Sequence, residues 1–360
     1  MRTHRVLLVA VLLVAAIAPA GIAGAAGPYR DAALGALAWV ATQQLPDGSF
    51  PGFGAGSTAD AVFAICAVGG DPNGFLRDGH SPISFLGAHA SEIAKNAGSA
   101  GKTILAAVCA GKDPRAFGGV DLIAALEQAY DPATGRYGSD LAGHAFALLA
   151  LASVGRPIPE AAIVWLRQAQ TPEGGWSWSG DASPGSADTN STALAIQALV
   201  EAGVPSGDAS IQRALAYLHT QQNDDGGFPY QKPSPWGTDT DANSTAYVVQ
   251  ALVAAGEDPE GPAWTLQGKT PLSALLSLQL PSGALQWQAA VPGENALATY
   301  QAIVALMLRP FPLARTVVSA PALLPKTGLP ERGSAMPAWV GGGVAVLLGL
   351  ALRWYARTRH

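Results

Sequence analysis

The sequence is poor in charged residues. Asp, Glu, Lys and Arg make up only 13% of its 360 residues, whereas 49% are hydrophobic. A disordered chain needs more charge and less apolar surface, so a packed structure is expected. The chain has 21 basic and 26 acidic residues and therefore no strong basic patch. This balance argues against nucleic acid as a partner.

Histidine and cysteine, which most often bind zinc, are also scarce. The chain has six histidines, scattered along its length, and two cysteines. It contains no P-loop, no nucleophile elbow and no HExxH sequence. We therefore predict no metal site and no cofactor.

Residues 1–26 have the pattern of a signal peptide. Arg2 and Arg5 precede an apolar run that ends near Ala18, and small residues follow. A retained membrane helix is the weaker alternative, because the apolar run is short and is followed by Pro19. The mature chain is therefore expected to be exported.

The C-terminal region carries a second targeting pattern. The first part of this pattern is a pentapeptide of the form LPxTG, made of Leu324, Pro325, Lys326, Thr327 and Gly328. They lie in a linker (316–337) that precedes an apolar transmembrane stretch (338–352) and a basic cytoplasmic tail (353–360). This order resembles the sorting signal of bacterial cell-wall-anchored proteins. The resemblance implies that a sortase cleaves after Thr327 and attaches the chain to peptidoglycan. The alternative is a single-pass membrane anchor, which also keeps the preceding domain outside the cell.

Residues 27–315 repeat one pattern six times. Its clearest copies are "DTNSTALAIQALVEAGVP" from Asp188 and "DANSTAYVVQALVAAGEDP" from Asp241. Five of the six units end in a glycine: Gly69, Gly111, Gly155, Gly203 and Gly256. A recurring period of forty to fifty-odd residues indicates a repeat architecture.

Each unit has the pattern of two helices. One is amphipathic, as in "IQRALAYLHTQQ". The other begins at the Asn-Ser-Thr cluster, which is a good N-cap, and stops at Gly followed by Pro. The second helix is apolar nearly all round, so it should be buried on most sides. Six such pairs predict an all-α fold, an α6/α6 toroid with an outer and an inner ring.

A Gln-to-aromatic segment joins the two helices of several units. Examples are "QTPEGGWSWS" from Gln170 and "QQNDDGGFPY" from Gln221. Gln can satisfy carbonyls at a helix end, Gly-Gly permits a sharp reversal, and the aromatic ring can pack on the next unit. We interpret this segment first as a structural staple.

These segments resemble the repeats of squalene cyclases and of protein prenyltransferase β-subunits, both of which are α/α toroids. The chain resembles more closely a group of bacterial secreted toroids that are similar to the cobalamin carriers intrinsic factor and transcobalamin. Phrases such as Gly256-Glu257-Asp258-Pro259 carry this likeness. It implies a corrinoid as one candidate ligand. The carriers have a second, β-rich domain, and this chain has only a linker and anchor after the toroid.

The cyclase resemblance can be tested on two residues. Cyclases that protonate an alkene use the middle Asp of Asp-x-Asp-Asp-Thr-Ala as the acid. Asn190 and Asn243 occupy that position here, and a neutral amide cannot donate the proton. The zinc ligands of a prenyltransferase have no counterpart either. The resemblance therefore makes cyclase or prenyltransferase activity less favoured than binding.

Two further positions in the inner helices leave alternatives open. Cys66 and Cys109 lie at nearly equivalent places in adjacent units, and a disulfide is slightly favoured over two buried thiols. His144 falls where Thr192 stands in another unit. It either faces a cavity or is an ordinary histidine near a helix end.

The inner-helix N-termini should surround one mouth of the ring. Polar groups among aromatic rings at such a mouth would suit a bulky, partly apolar ligand. The predicted ligand-binding residues are Asp188, Asn190, Asp241, Asn243, Trp176, Trp178, Phe228, Tyr230, Trp236, Tyr247 and Trp287. In the favoured alternative, Asp188 and Asp241 serve only as helix caps. Most of the aromatic side chains then serve only to pack one repeat unit against the next.

The sequence thus predicts a surface-anchored, non-catalytic toroid that binds a hydrophobic small molecule, with a corrinoid as one candidate. Two other hypotheses remain at this point. One is a terpenoid cyclase- or prenyltransferase-like enzyme, and the other is a structural wall protein that uses its rim for protein contacts.

Overall fold

The computed structural model describes residues 27–313, so the predicted signal peptide, sorting signal and anchor lie outside the described residues. In chain order the helices in this range are α1 (Pro28–Gln43), α2 (Ala55–Ala67), α3 (Pro82–Ala88), α4 (Ala90–Ile93), α5 (Ala97–Cys109), α6 (Leu122–Gln128), α7 (Leu141–Ser153), α8 (Glu160–Gln168), α9 (Thr189–Glu201), α10 (Ala209–Gln221), α11 (Ala242–Ala255), α12 (Pro271–Ser277) and α13 (Ala296–Leu306). Strands β1 (Tyr130–Asp131) and β2 (Arg136–Tyr137) form a short antiparallel hairpin between α6 and α7.

Six of these helices close an inner ring. α2, α5, α7, α9, α11 and α13 contact one another in that order, and α13 contacts α2. Helices α1, α3, α6, α8, α10 and α12 each pack on at least one inner helix from outside. The predicted all-α fold, an α6/α6 toroid, is therefore confirmed.

Burial separates the two rings as the apolar patterns predict. Ten of the thirteen residues of the inner helix α9 are buried. In the outer helix α10 only seven of thirteen are buried, and they lie along one face. Within residues 27–313 no helix is long and apolar enough to cross a membrane.

Side chains cap five of the six inner helices at their N-termini. In each case the side-chain oxygen accepts a hydrogen bond from a backbone N–H of the first turn. The capping residues are Asn96, Asp140, Asp188, Asp241 and Asn295. Helix α2 begins after Gly54 and has no such cap.

The glutamine of the Gln-to-aromatic segment joins consecutive units. The amide Nε2 of Gln222 donates to the carbonyls of Gly226 at 3.0 Å and of Trp264 at 2.9 Å. Gln279 makes the same bond to Ala32 at 2.8 Å, and so ties the last unit to the first. Gln44 and Gln170 are placed alike. The segment therefore closes the ring by hydrogen bonds that leave few polar groups unpaired in the core.

The glycine four residues after each of these glutamines has two reasons to be glycine. Gly226 has a φ of 85°, and a Cβ there would lie 2.6 Å from the carbonyl oxygen of Thr270. Gly174 has a φ of 97°, and its Cβ would lie 2.5 Å from the carbonyl oxygen of Arg213. A side chain would therefore be strained and would also push consecutive units apart.

The seams between α2, α5 and α7 are closed differently from the others. A disulfide joins Cys66 near the end of α2 to Cys109 at the end of α5, with the Cα atoms 6.2 Å apart. Glycines bring α5 and α7 together: a Cβ on Gly98 would lie 2.8 Å from the Cα of Gly143. A Cβ on Gly101 would lie 2.7 Å from the carbonyl oxygen of Phe146. These two helices therefore pack backbone against backbone.

Candidate functional site

The N-termini of the inner helices lie at one end of the ring, which we call the mouth. Below the mouth, the sixth residue after the N-cap on five inner helices forms a central layer. Its members are Asp60, Lys102, Phe146, Tyr247 and Gln301. Contacts between these side chains place them together inside the ring.

An ion pair occupies the central layer. The Nζ of Lys102 lies 2.7 Å from Oδ2 of Asp60, and the two side chains are 16% and 5% exposed. Burial raises the pKa of Asp60, and the Lys102 ammonium opposes that rise. The ammonium also lies 5.6 Å from the centre of the Phe146 ring, within range of a cation–π interaction.

A polar chain extends from this ion pair to the other side of the ring. Burial has the largest effect on the pKa of Asp60, and the neighbouring Gln301 side chain, like Lys102, opposes the rise that burial causes. The Oε1 of Gln301 accepts a bond of 2.8 Å from Nδ2 of Asn243. The nearby Asp60 carboxylate and, above all, burial raise the pKa of the Tyr247 phenol. The centre of the ring is thus filled by polar groups, among which Asp60 pairs with Lys102 and Gln301 with Asn243.

Below the central layer, the C-terminal segment of the described chain enters the ring. Phe311 is 3% exposed, and its ring lies 4.8 Å from that of Phe63 and 5.9 Å from that of Phe146. Its backbone N–H donates to the Oε1 of the buried Gln197 at 2.9 Å. Phe311 therefore plugs the channel from the end opposite the mouth.

Besides a shallow pocket of about 420 Å³ in the loop that joins α10 to α11, a pocket of about 210 Å³ opens at the mouth between α2, α5 and α7. It exists because the residues two after the N-caps are small here, namely Gly56, Gly98 and Ala142. Lys102 and Phe146 form part of its lining. Ligand pockets usually measure ~300–1,000 Å³, so a large ligand could enter it only in part.

Aromatic side chains stand on the other part of the rim. Trp178, Tyr230 and Trp236 are 58%, 42% and 70% exposed, and Trp287 is half-buried. All four lie in the segments that lead into α9, α11 and α13. Of the aromatic residues predicted to bind a ligand, these four lie on the rim of the mouth.

Asp188 and Asp241 serve as buried N-caps. One carboxylate oxygen of Asp188 accepts from the Ser191 backbone N–H and the other from the Ser191 hydroxyl, both at 2.7 Å. Asp241 is bound in the same way by Ser244. Burial raises the pKa of each carboxyl to about 6, although the cap hydrogen bonds lower it. The capping alternative accounts for the bonds that these two carboxylates accept from Ser191 and Ser244. Asp188 also lies beside the Tyr230 phenol, whose pKa is raised by burial and by that carboxylate.

The other predicted residues divide between core and mouth. Trp176 and Phe228 are fully buried, and the indole of Trp176 donates to the carbonyl of Leu166 at 2.6 Å. They pack the ring and do not reach the mouth. Asn190 holds on α9 the place that Asn243 holds on α11, and among residues 27–313 its Oδ1 has no hydrogen-bond partner.

His144 takes over the role of a threonine. We call the buried residue at the end of the Gln-to-aromatic segment the staple residue; it is Phe50, Trp176, Phe228 or Leu285 in four of the units. In these units a Thr hydroxyl near the inner-helix N-terminus accepts a hydrogen bond from the backbone N–H of the staple residue, as Thr192 does from Trp176 at 2.9 Å. In the third unit the acceptor is Nδ1 of His144, which binds the Tyr137 N–H at 3.1 Å. Burial lowers the pKa of His144 to about 4, so it is neutral at pH 7. Its role is structural.

Sequence reasoning missed the Asp60–Lys102 pair and Phe311. Asp60 and Lys102 are single charges in otherwise apolar helices, and each lies six residues after the helix N-cap. Aligning the units at their N-caps would have placed both in one layer. Among the described residues no group of three His, Cys, Asp or Glu could hold a metal ion.

Comparisons with known proteins agree with the toroid. Residues 122–263 match the squalene-hopene cyclase C-terminal domain. The type II terpene cyclase MstE from Scytonema aligns at 14% identity and a TM-score of 0.54, over 78% of this chain and 97% of that one. No curated protein sequence shows significant similarity to the chain.

Sugar-active enzymes share the architecture as well. The unsaturated glucuronyl hydrolase from Bacillus sp. GL1 aligns at 14% identity with a TM-score of 0.55, over 77% of this chain and 96% of that one. A glycosidase solved in complex with glucose aligns at 13% identity with a TM-score of 0.52, over 78% and 98%. At these identities the likeness shows a terpene cyclase-like α/α toroid fold, and fold alone does not assign activity.

Proposed function

We propose that the chain is an exported, surface-anchored binding protein whose ligand sits at the mouth of the toroid. The observation that carries this proposal is the filled centre. The Asp60–Lys102 pair and its partners occupy the central layer, and Phe311 plugs the channel below it. The mouth, with its pocket and exposed aromatic side chains, is the part of the ring left for a ligand.

The second candidate is a terpene cyclase-like enzyme, and the fold comparisons favour it. A variant of the cyclase MstE has been solved with geranylgeranyl dihydroxybenzoate as substrate, and that protein shares this fold. In this chain Asn190 and Asn243 are amides, and the buried carboxyls Asp188 and Asp241 are occupied as helix caps. Asp60 is the buried carboxyl in the centre of the ring that would have to serve as the acid. An acid that protonates an alkene needs a free proton in a dry cavity. The ammonium of Lys102 instead favours the ionised carboxylate.

A corrinoid remains a ligand to be tested. The pocket of about 210 Å³ lies below the usual range for ligand sites, so a corrinoid would rest across the mouth and leave much of its surface in solvent. Contacts with the exposed rings of Trp178 and Trp236 would then carry its binding.

Thermal unfolding of the purified chain tests the site. Cyanocobalamin, geranylgeraniol and chitohexaose are added separately at rising concentrations. A bound ligand at a hundred times its Kd adds ~2.7 kcal/mol, and Trp178→Ala should reduce the shift if the mouth is the site. A cyclic product formed from a geranylgeranyl substrate by the wild type, and lost in Asp60→Asn, would establish the enzyme instead.

Surface anchoring is tested separately on the sorting signal. In Thr327→Ala the predicted sortase would lack its cleavage site, so the chain should shift from the wall fraction to the membrane fraction. Lys326→Ala is the matched control because the motif accepts any residue there. An unchanged wall fraction in Thr327→Ala would contradict sortase attachment.

A further inference from the structure

Three aromatic side chains on the rim occupy the same position in three successive units. Trp178 and Tyr230 each lie two residues after the buried staple aromatic, and Trp287 lies two residues after Leu285, which takes the staple place. In each unit the backbone N–H of the staple residue is bound by a Thr hydroxyl of the inner helix. The rings therefore recur at the spacing of the repeat.

The backbone under these three rings is held in place. The carbonyl of Trp178 accepts the N–H of Leu141 at 2.9 Å, and that of Tyr230 accepts the N–H of Thr189 at 2.8 Å. The carbonyl of Trp287 accepts the first N–H of α11 at 2.9 Å. Each ring is thus mounted over the N-terminus of the preceding unit's inner helix, so the rigid inner ring fixes their separation.

The fold does not require an aromatic residue at this position. In the first and third units the residues two after the staple aromatic are Gly52 and Ser139. Trp178 is 58% exposed and Trp236, in the fifth unit's segment, is 70% exposed. Exposed tryptophans add little to the core, and a cluster of them on one surface is typical of a binding site.

The charge around these rings restricts the kind of ligand. Within the segments 177–187 and 229–240 the exposed charges are the carboxylates Asp181 and Asp239. Lys232 donates its Nζ to the carbonyl of Gln222 and the side chain of Asn223, so it is held within its own loop. The guanidinium of Arg136, which borders Gly180, is likewise bound by the carbonyl of Ser139. An anionic polymer or an anionic membrane would therefore meet exposed carboxylates and cations that are already engaged. Carboxylate and amide groups instead accept hydrogen bonds from hydroxyl groups.

The predicted anchor would bring one such ligand within reach. Thr327 is only the fourteenth residue after the last described residue, Leu313. Fully extended, a chain of that length spans about 46–50 Å. If Thr327 is joined to peptidoglycan, the toroid is held next to chains of pyranose sugars. A pyranose ring has an apolar face of C–H groups that can pack on an aromatic ring and hydroxyl groups at its edge.

We propose that Trp178, Tyr230 and Trp287, together with Trp236, form a sugar-binding platform for an extended wall glycan. This platform deepens the proposed function and rests on it. Because the three repeated positions are mounted on successive units, affinity should rise with the length of the sugar chain until the ligand spans all of them.

Titration of the purified chain with chitobiose, chitotetraose and chitohexaose tests the platform, with tryptophan fluorescence as the readout. We expect chitohexaose to bind tightest. Trp178→Ala or Trp236→Ala should each raise its Kd by about two- to tenfold, in line with the value of one aromatic contact. Trp178→Phe should retain part of the affinity. Val164→Ala, an exposed apolar position on the outer helix α8, is the control and should leave Kd unchanged.

Distinct results separate this inference from the proposed function. If cyanocobalamin binds in a Trp178-dependent way and the sugars do not, the sugar inference is wrong and the mouth remains a binding site. If the chain binds vesicles of phosphatidylglycerol through Trp236 and not the sugars, the ligand is a membrane and the inference is wrong. If no probe responds to the rim variants, both proposals fail.

Discussion

The two halves of the ring are built from one repeat and differ in what they place at the mouth. In the half formed by α2, α5 and α7, small residues stand at the mouth, a disulfide and an ion pair join α2 to α5, and a pocket opens. In the half formed by α9, α11 and α13, the repeat is regular and aromatic side chains stand on the rim. The regular half presents the same rim position in each unit, as expected for a ligand that is contacted repeatedly. The irregular half is instead packed by a disulfide, an ion pair and close glycine contacts.

The largest expected effect comes from breaking the ion pair of the irregular half. Lys102→Met leaves a buried carboxylate on Asp60 without its cation, which should cost about 3–5 kcal/mol of unfolding free energy. Urea denaturation measures this loss. The double variant Asp60→Asn/Lys102→Met should recover much of it, because no charge is then left unpaired. Equal losses in the single and double variants would contradict the pairing.

The disulfide of the same half should matter nearly as much. Replacing Cys66 and Cys109 by Ser opens a loop with a sequence separation of 43 and should cost about 2–4 kcal/mol. Thermal unfolding with and without a reductant measures it. Reductant should lower the melting temperature of the wild type and leave that of the double variant unchanged. A wild type that does not respond to complete reduction would show that the seam needs no covalent link.

The regular half should make stability depend on pH. Asp188 and Asp241 have folded-state pKa values raised from 3.8 to about 6, so the folded state binds more protons than the unfolded state between these values. Their contribution to stability is therefore present below pH 4 and is lost as pH rises to about 6, by roughly 3 kcal/mol for each group.

Asparagine variants isolate that pH dependence. Asp188→Asn and Asp241→Asn keep a capping side chain but remove the titration, so unfolding free energy should vary less between pH 4 and pH 7. Asp140→Asn, at the half-buried cap of α7, is the matched control in the irregular half. A slope that is unchanged in the Asp188 and Asp241 variants would contradict the assignment.

The smallest of these effects tests the glycine seam between α5 and α7. Gly101→Ala places a Cβ 2.7 Å from the carbonyl oxygen of Phe146 and should destabilise the fold by about 1–3 kcal/mol. At the same place after the N-cap, four of the other five inner helices carry alanine, as with Ala193 and Ala246, and α13 carries Tyr300. Gly35→Ala in α1, where the added Cβ meets no atom within 4 Å, should instead stabilise it slightly. Both are measured by urea denaturation.

The repeat could be predicted from sequence because each unit carries its own signals. The Asn-Ser-Thr cap, the terminal glycine and the glutamine of the staple are local, and together they gave both rings and their order. Which glutamine closes the ring could not be predicted, because Gln279 bonds to Ala32, nearly 250 residues away in sequence.

The candidate site was harder to predict because it depends on departures from the repeat. The short phrase around Trp176 and Trp178 does not say which ring is buried, and the structure buries Trp176 and exposes Trp178. Asp60 and Lys102 meet only because their units are adjacent, and Phe311 lies beyond the last repeat. Such contacts follow from the closed ring and not from any local pattern.

Hydrogen exchange with and without chitohexaose tests the central claim most directly. We expect protection in segments 177–187, 229–240 and 286–295 at the mouth, and unchanged exchange around Asp60 and Lys102. Protection confined to α2, α5 and α13, with none on the rim, would place the ligand inside the ring and contradict the account.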